Sequence, residues 1–289
     1  MQLLRFFTVV VLTLLLFGGC RRTEDRSLPF TVMTFNIRYG TAPDGEHHWH
    51  LRQELVYSLL KKEAPDIVGL QEALNFQIDA VLTQLPDYRR LGEYSAILYR
   101  PRFRVLESET FWFSDTPEVA GSKSWGNTIT RICTWARFAD DSTGKNFYVY
   151  NLHLDHQSQP SREKSVELLL QKINTRAFEE PVVVMGDFNA GEQNRALLEL
   201  SAFTDKAGRR FFVNAFRAVH PHDKAVGTFH GFSDQAGAEM IDHIFVTRNI
   251  DVRRADIVRD HPPGRYPSDH YPVIAELQFN RHTEKGAKP

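Results

Sequence analysis

The chain has 289 residues and sets 35 Lys plus Arg against 36 Asp plus Glu, a formal net charge of −1. That balance excludes a polybasic nucleic-acid binder held by bulk charge, and equally an acidic tail protein. Hydrophobic content of 42%, charged content of 25%, and only 17 Gly and 14 Pro exclude wholesale disorder and a fibrous or low-complexity chain.

Residues 1–19 form a leader. Arg5 precedes an apolar run from Phe6 to Phe17, broken only by Thr8 and Thr13, and Gly18 and Gly19 follow. The layout is that of a secretory signal peptide, short for a membrane span. Cys20, directly after two small residues, makes the segment resemble a bacterial lipoprotein signal, although Phe17 stands where leucine is usual. The resemblance implies lipidation at Cys20 and an exported protein anchored in a membrane, facing the periplasm or the cell exterior. Residues 20–29 then read as a polar tether, 30–280 as one domain, and 281–289 as a polar tail. Cys133, in the apolar stretch Ile129–Phe138, is expected to be a buried, inert thiol.

Within the domain, nine short apolar runs predict strands: Thr31–Ile37, Asp66–Leu70, Tyr94–Tyr99, Arg104–Phe113, Ile129–Phe138, Phe147–His153, Val182–Gly186, Met240–Val246 and Val273–Phe279. Three segments have helical spacing: Leu51–Lys62, stopped by Pro65; Phe76–Leu85, with Asn75 as its N-cap; and Ser161–Arg176, with Ser161 as its N-cap. Nine strands with few helices do not make a one-to-one βαβ chain. An α+β sandwich, sheets inside and helices outside, fits better.

Six apolar runs end in clusters of Asn, Asp, Glu or His: Asn36; Glu72; His153 with Asp155 and His156; Asp187 with Asn189; Asp242; and Asp269 with His270. A single such residue reads as a strand-end turn. Six in one domain point to a shared site, because a strand end is a rigid mount for a polar group. Oxygen donors such as Glu72 and Asp269 suit Mg²⁺ or Mn²⁺. A thiolate zinc site is excluded by two cysteines, HExxH is absent, and no GxSxG elbow or P-loop occurs. His153 and His156, three apart on one strand, are expected on opposite faces.

The six clusters in this order, above all the Gly186–Asn189 GDFN tetrad with the Ser268–His270 SDH triplet, resemble the endonuclease/exonuclease/phosphatase superfamily from Thr31 to about Phe279. The resemblance implies a four-layer α/β sandwich, two mixed β-sheets face to face with helices outside. It also implies Mg²⁺-dependent hydrolysis of a phosphate ester by in-line attack of water. By position, Glu72 resembles the direct Mg²⁺ ligand, Asn36 the amide beside the metal, and Asp269 a carboxylate near it. Asp187 resembles the carboxylate that activates water, and Asn189 the amide that holds that water or a phosphate oxygen. His270 resembles the histidine on the scissile phosphate, with Asp242 fixing its ring, and His153 the second histidine. Arg131 resembles a phosphate-contacting arginine, with a surface arginine as its alternative; Glu93 resembles a glutamate that pairs with His153, with a solvated loop carboxylate as its ordinary reading.

Trp125, in the loop Asp115–Asn127, is a candidate for stacking on substrate; packing over the core is its ordinary alternative. Trp49, Arg52 and the loop Gly227–Phe232 are candidate rim residues. By strand alternation Asp155 shares His153's side. The Arg pairs 89–90, 209–210 and 253–254 are isolated, so charge does not indicate a nucleic-acid substrate; a phospholipid headgroup or a sugar or inositol phosphate fits equally. No protein partner is inferred. Two other classes stay open: a non-catalytic binding lipoprotein of the same fold, and a glycosidase using two of the carboxylates.

Overall fold

The computed structural model describes residues 28–280. The leader, Cys20 and the tail 281–289 lie outside the described residues. Twelve strands and five α-helices follow in chain order: β1 (Phe30–Asn36), α1 (Trp49–Glu63), β2 (Ile67–Gln71), α2 (Asn75–Gln84), β3 (Arg89–Leu91), β4 (Ile97–Tyr99), β5 (Phe103–Trp112), β6 (Ile132–Asp140), β7 (Lys145–His153), α3 (Gln159–Asn174), β8 (Val182–Asp187), α4 (Arg195–Ala202), β9 (Phe212–Asn214), α5 (Ala215–Val219), β10 (Asp242–Thr247), β11 (Ile250–Ile257) and β12 (Val273–Phe279). No described helix is long and apolar enough to cross a membrane.

The strands form two six-stranded sheets, ordered β11-β12-β1-β2-β4-β3 and β5-β6-β7-β8-β10-β9. Each is mixed. β1 runs parallel to β2, joined through α1, and β7 runs parallel to β8, joined through α3; the other pairings are antiparallel. Helical crossovers are what parallel neighbours require. One apolar core lies between the sheets, around Val32, Ile67, Val149 and Val183. A second packs α3 and α4 on the outer face of the second sheet. A third packs α1 and α2 on the outer face of the first. Three cores between four layers make the α/β sandwich that was expected.

Polarity is graded along the sandwich. Phe30 opens β1 and Phe279 closes β12; their rings lie 5.0 Å apart, with Phe147 5.2 Å from Phe30. These aromatic side chains close one end, each worth about 2–3 kcal/mol when fully buried. Midway, Asn151 crosses between the sheets, donating to Leu70 O at 2.9 Å and Ala96 O at 2.8 Å and accepting from Gln71 Nε2 at 2.6 Å. The polar strand termini lie at the other end. Because β10 is antiparallel to β8, and β12 to β1, the first residues of β10 and β12 meet the last residues of β1, β2, β7 and β8 there.

The structure corrects several local expectations. β3, β9 and β11 were not anticipated, nor were α4 and α5. Ser161 is not the cap of α3: Ser158 is, its hydroxyl accepting from Ser161 N at 3.2 Å, with Pro160 in the first turn where a missing N–H costs nothing. Asn75 is the first helical residue of α2 rather than its cap, and its side chain turns to Glu93 and Arg90. Trp49 and Arg52 are buried, not rim residues. The Arg52 guanidinium donates to four backbone carbonyls: His47 O at 2.9 Å, Ile37 O at 2.7 Å, Arg38 O at 3.1 Å and Pro267 O at 2.8 Å.

Candidate active site

Asp187, the last residue of β8, lies directly opposite Asp242, the first of β10. Its Oδ2 accepts from Asn36 Nδ2 at 3.0 Å and lies 3.3 Å from His153 Nε2 and 3.8 Å from His270 Nε2. The other ring nitrogen of His270 is 2.9 Å from Asp242 Oδ2. Asn36 Nδ2 also reaches Glu72 Oε1 at 3.3 Å, and Glu72 Oε2 accepts from Tyr39 N at 2.8 Å. Ser268 ties the last piece in, donating to Asn36 O at 2.6 Å and to Asp269 Oδ1 at 3.2 Å. All eight positions with catalytic or metal candidates therefore converge, four from each sheet or its adjoining loops.

The backbone is specialised at the same place. Glu72 has φ +58° and Asn189 φ +47°, left-handed conformations that cost an ordinary residue about 1 kcal/mol or more. Asn189 tolerates it, and its side chain donates to Leu154 O and to His153 Nε2, both at 3.0 Å. Gly186 has φ +155°, and a Cβ there would lie 2.1 Å from Leu152 O, so only glycine lets β8 approach β7 this closely.

Burial pulls the groups apart electrostatically. Asp187 is pushed up to about 7, first by desolvation and then by the Asp242 charge. His270 moves the other way from an ordinary buried histidine. Burial alone would lower it, but the Asp242 and Asp187 carboxylates outweigh that and raise it to about 10. His153 is driven well below its usual value by desolvation and by the Arg131 charge. Its Nε2 accepts from Arg131 Nη1 at 3.1 Å and from Asn189, so the ring is neutral with its proton on Nδ1. The site thus holds one charged imidazole, one neutral imidazole, and a carboxylate able to gain a proton near neutrality.

Arg131 is buried just before β6. Its guanidinium reaches Asp155 Oδ2 at 3.4 Å, His153, and His156 Nδ1 at 2.8 Å. His153 and His156 therefore meet one guanidinium instead of facing apart, because β7 ends at His153 and the chain turns. Asp155 is buried and accepts from the N–H groups of Gln157 and Ser158. Glu93 does not pair with His153; it is exposed and accepts from Asn75. Trp125 is not in the network. Its indole donates to Asp115 Oδ1 at 2.8 Å and packs against the second core, while its carbonyl accepts from Ser158 Oγ at 2.6 Å. Arg38 went unread in the sequence: it chelates Asp44 at 2.8 Å and lies 3.7 Å from Asp269 Oδ2. The burial of Cys133 pushes its thiol well up, which suits the inert reading.

Asp187, Asp242 and His270 present ligand atoms within 4.8 Å of one another, a spacing that could hold a cation. His270, however, has a carboxylate at each ring nitrogen and is held charged, so a second cation there would be repelled. Asp242 Oδ1 is buried without a partner; across Asn36 from Asp187, Glu72 supplies a half-buried carboxylate, and Asp269 Oδ2 lies 3.7 Å from Arg38 Nε. The donor chemistry fits a hard divalent cation on the Glu72 side. Asn36 turns its amide nitrogen toward Glu72 and Asp187, so direct ligation by its oxygen would require the amide to flip.

The family model for the endonuclease/exonuclease/phosphatase family matches residues 33–270, and the chain belongs to that family. A solved endonuclease/exonuclease/phosphatase of Bacteroides vulgatus is 32% identical, with a TM-score of 0.78 over 88% of this chain and 100% of that one. A mannosyl-6-phosphatase of Bacteroides thetaiotaomicron is 30% identical, with a TM-score of 0.76 over 86% of this chain and 100% of its own. An uncharacterized protein of Acanthamoeba polyphaga mimivirus is 30% identical over 183 residues, 56% of this chain and 68% of the viral one.

Proposed function

We propose that this chain is an exported, lipid-anchored hydrolase of phosphate esters that works with Mg²⁺ or Mn²⁺, and that its substrate is a small sugar phosphate. The observation that carries the hydrolase reading is the placing of Asp187 Oδ2 between Asn36, His153 and the charged ring of His270. A base with a value of about 7 is matched to taking a proton from water at neutral pH. Water attacks phosphorus, its proton passes to Asp187 Oδ2, and the P–O bond to the alcohol breaks, with solvent protonating the departing alkoxide. The His270 imidazolium, held by Asp242, faces the negative charge that grows on the phosphoryl oxygens. Asn189 and Arg131 hold the neutral His153 ring in place through its Nε2 without adding a carboxylate. A divalent cation held by Glu72 and Asp269, beside Asn36, would supply further charge neutralisation.

Two observations favour a small sugar phosphate over a polynucleotide. The net charge is −1 and the arginine pairs are isolated, whereas duplex affinity rests on phosphate contacts. A relative 30% identical, matched over its whole chain, acts by its name on a mannosyl 6-phosphate. Export and anchoring rest on the leader and Cys20 alone.

The test assays the full chain with Mg²⁺ and with EDTA, beside Asp187→Ala, against hexose and inositol phosphates, sphingomyelin, DNA and RNA. Metal-dependent phosphate release from a hexose phosphate, lost in the variant, is the expected result. Turnover indifferent to EDTA overturns the metal dependence, turnover retained in Asp187→Ala overturns the role given to Asp187, and no release from any ester overturns the hydrolase reading. A nucleic acid cleaved in preference to hexose phosphates overturns the substrate assignment.

A further inference from the structure

Five aromatic side chains are exposed among the described residues: Tyr39 (40%), Phe76 (42%), Tyr94 (44%), Phe178 (47%) and Phe229 (44%). Four of them flank the site. Phe229 lies edge-on to His270, ring centroids 5.0 Å apart. From there a chain of contacts runs through His270, Asp187, Asn36 and Glu72 and ends at the backbone of Tyr39. Tyr94 joins this second lip by pairing with Ala73, next to Glu72, and Phe76 abuts Gly40. Phe178, the fifth, instead covers the Arg137 guanidinium at 3.7 Å.

Phe229 is exposed but its backbone is fixed. It forms an isolated β-bridge with His270, and its carbonyl accepts from Gly237 N at 2.8 Å. Its neighbours are pinned as well: Tyr271 N donates to Thr228 O at 2.7 Å, and His230 N to Asp269 O at 2.9 Å. At Gly227 a Cβ would lie 1.7 Å from Gly237 O, so the turn closes only with glycine there. A large apolar ring is therefore held out toward solvent by a rigid turn bonded to the segment carrying Asp269 and His270. A pre-set ring binds a partner without first paying to order itself.

We propose that Phe229 is the platform for the alcohol portion of the substrate, stacking on the apolar face of its hexose ring, with Tyr39 and Tyr94 forming the opposite wall. This rests on the reading of the site as a phosphate-ester hydrolase. With the phosphate addressed by His270, the ester's alcohol must emerge beside whatever borders that ring, and Phe229 borders it. An aromatic face offers broad apolar contact to a ring's C–H surface and nothing comparable to a three-carbon chain. Binding energy from this non-reacting part orients the phosphate for attack.

The test separates binding from turnover. In full-length Asp187→Asn with Mg²⁺, calorimetry measures binding of mannose 6-phosphate and of glycerol 3-phosphate. Adding Phe229→Ala should weaken mannose 6-phosphate at least tenfold and glycerol 3-phosphate no more than threefold, with Phe229→Trp restoring the preference. Phe178→Ala, another exposed ring removed, should change neither. Equal losses for both ligands, no loss, no measurable hexose phosphate binding, or a loss produced by Tyr94→Ala but not Phe229→Ala each overturn the assignment. Wild-type turnover, assayed separately, reports on the hydrolase reading. Ring-selective binding in a chain that hydrolyses nothing would keep the platform and remove the chemistry.

Discussion

Asp187 and His270 owe their chemistry to burial beside each other, which makes their replacement a sharp test. On the proposed mechanism, Asp187→Ala removes the carboxylate that takes the water's proton, and His270→Ala removes the charge facing the phosphoryl oxygens. Each should lower kcat about a hundredfold or more, with circular dichroism unchanged because neither side chain builds a core. Near-normal turnover in either variant contradicts the roles assigned. The Asp242 contact makes a second, independent prediction. The raised value of about 10 for His270 keeps the ring charged through neutral pH. As its value is raised on folding, that ion pair contributes stability in full below the unfolded value near 6.5 and loses it as pH rises through about 10. Asp242→Asn removes the closest carboxylate, at 2.9 Å. In metal-free protein the NMR titration midpoint of His270 should fall by roughly one unit or more, each unit being about 1.4 kcal/mol. An unmoved midpoint would mean that Asp187, not Asp242, sets the charge.

Among the elements, the interior strands were legible, and of the four edge strands only β5 was. β1, β2, β8 and β10 are nearly continuous buried runs, and their polar termini stood out against them. The three strands that went unread, β3, β9 and β11, each lie at the edge of a sheet. Edge strands bury one flank less and carry polar residues such as Arg89 and Arg90. In β11 a register shift between Val252 and Arg254 also breaks the alternation that would have marked it. Arg131 and Arg52 illustrate the other limit. In sequence Arg131 reads as a phosphate contact or a surface arginine and Arg52 as a rim residue, because the carbonyls and histidines that satisfy them come from distant segments. Arg52 is the more consequential. It joins Ile37 and Arg38, after β1, to Pro267, before the Asp269 segment, and burial drives its value down to about 10. Arg52→Met would leave several buried carbonyls without donors, at a cost of about 3 kcal/mol or more in urea unfolding. Arg52→Lys should recover only part of this, since one ammonium cannot copy the planar fork. A loss below about 1 kcal/mol would show that water replaces the guanidinium.

On the scale of the whole molecule, the site is the seam between the sheets. Asn36, Glu72, Asp269 and His270 lie on or beside strands of the first sheet; His153, Asp187, Asn189 and Asp242 lie on strands of the second or in the loops that follow them. At the opposite end the seam is closed by Phe30, Phe147 and Phe279, whereas here it is lined by carboxylates that repel one another. Asp242 Oδ1 has no partner, and Asp187 Oδ2 faces the lone pair of His153 Nε2 across 3.3 Å. A divalent cation held by Glu72 and Asp269 would relieve that repulsion in the folded chain and find no such donor set in the unfolded one. Ligand binding to the native state alone stabilises it by about 2.7 kcal/mol at a hundred times the dissociation constant. For a chain of this size that is a rise in Tm of roughly 5–10 °C. Differential scanning fluorimetry with Mg²⁺ or Mn²⁺ against EDTA should show that rise, and Glu72→Ala should abolish it while leaving the metal-free Tm within about 2 °C, because Glu72 is only half-buried and sits in a strained left-handed turn. Hydrolysis is not needed for this measurement, so a missing substrate cannot mask the result. A Tm that ignores both cations would place the charge compensation of the seam entirely on His270 and Arg131, and would leave Glu72 without a role in the chemistry.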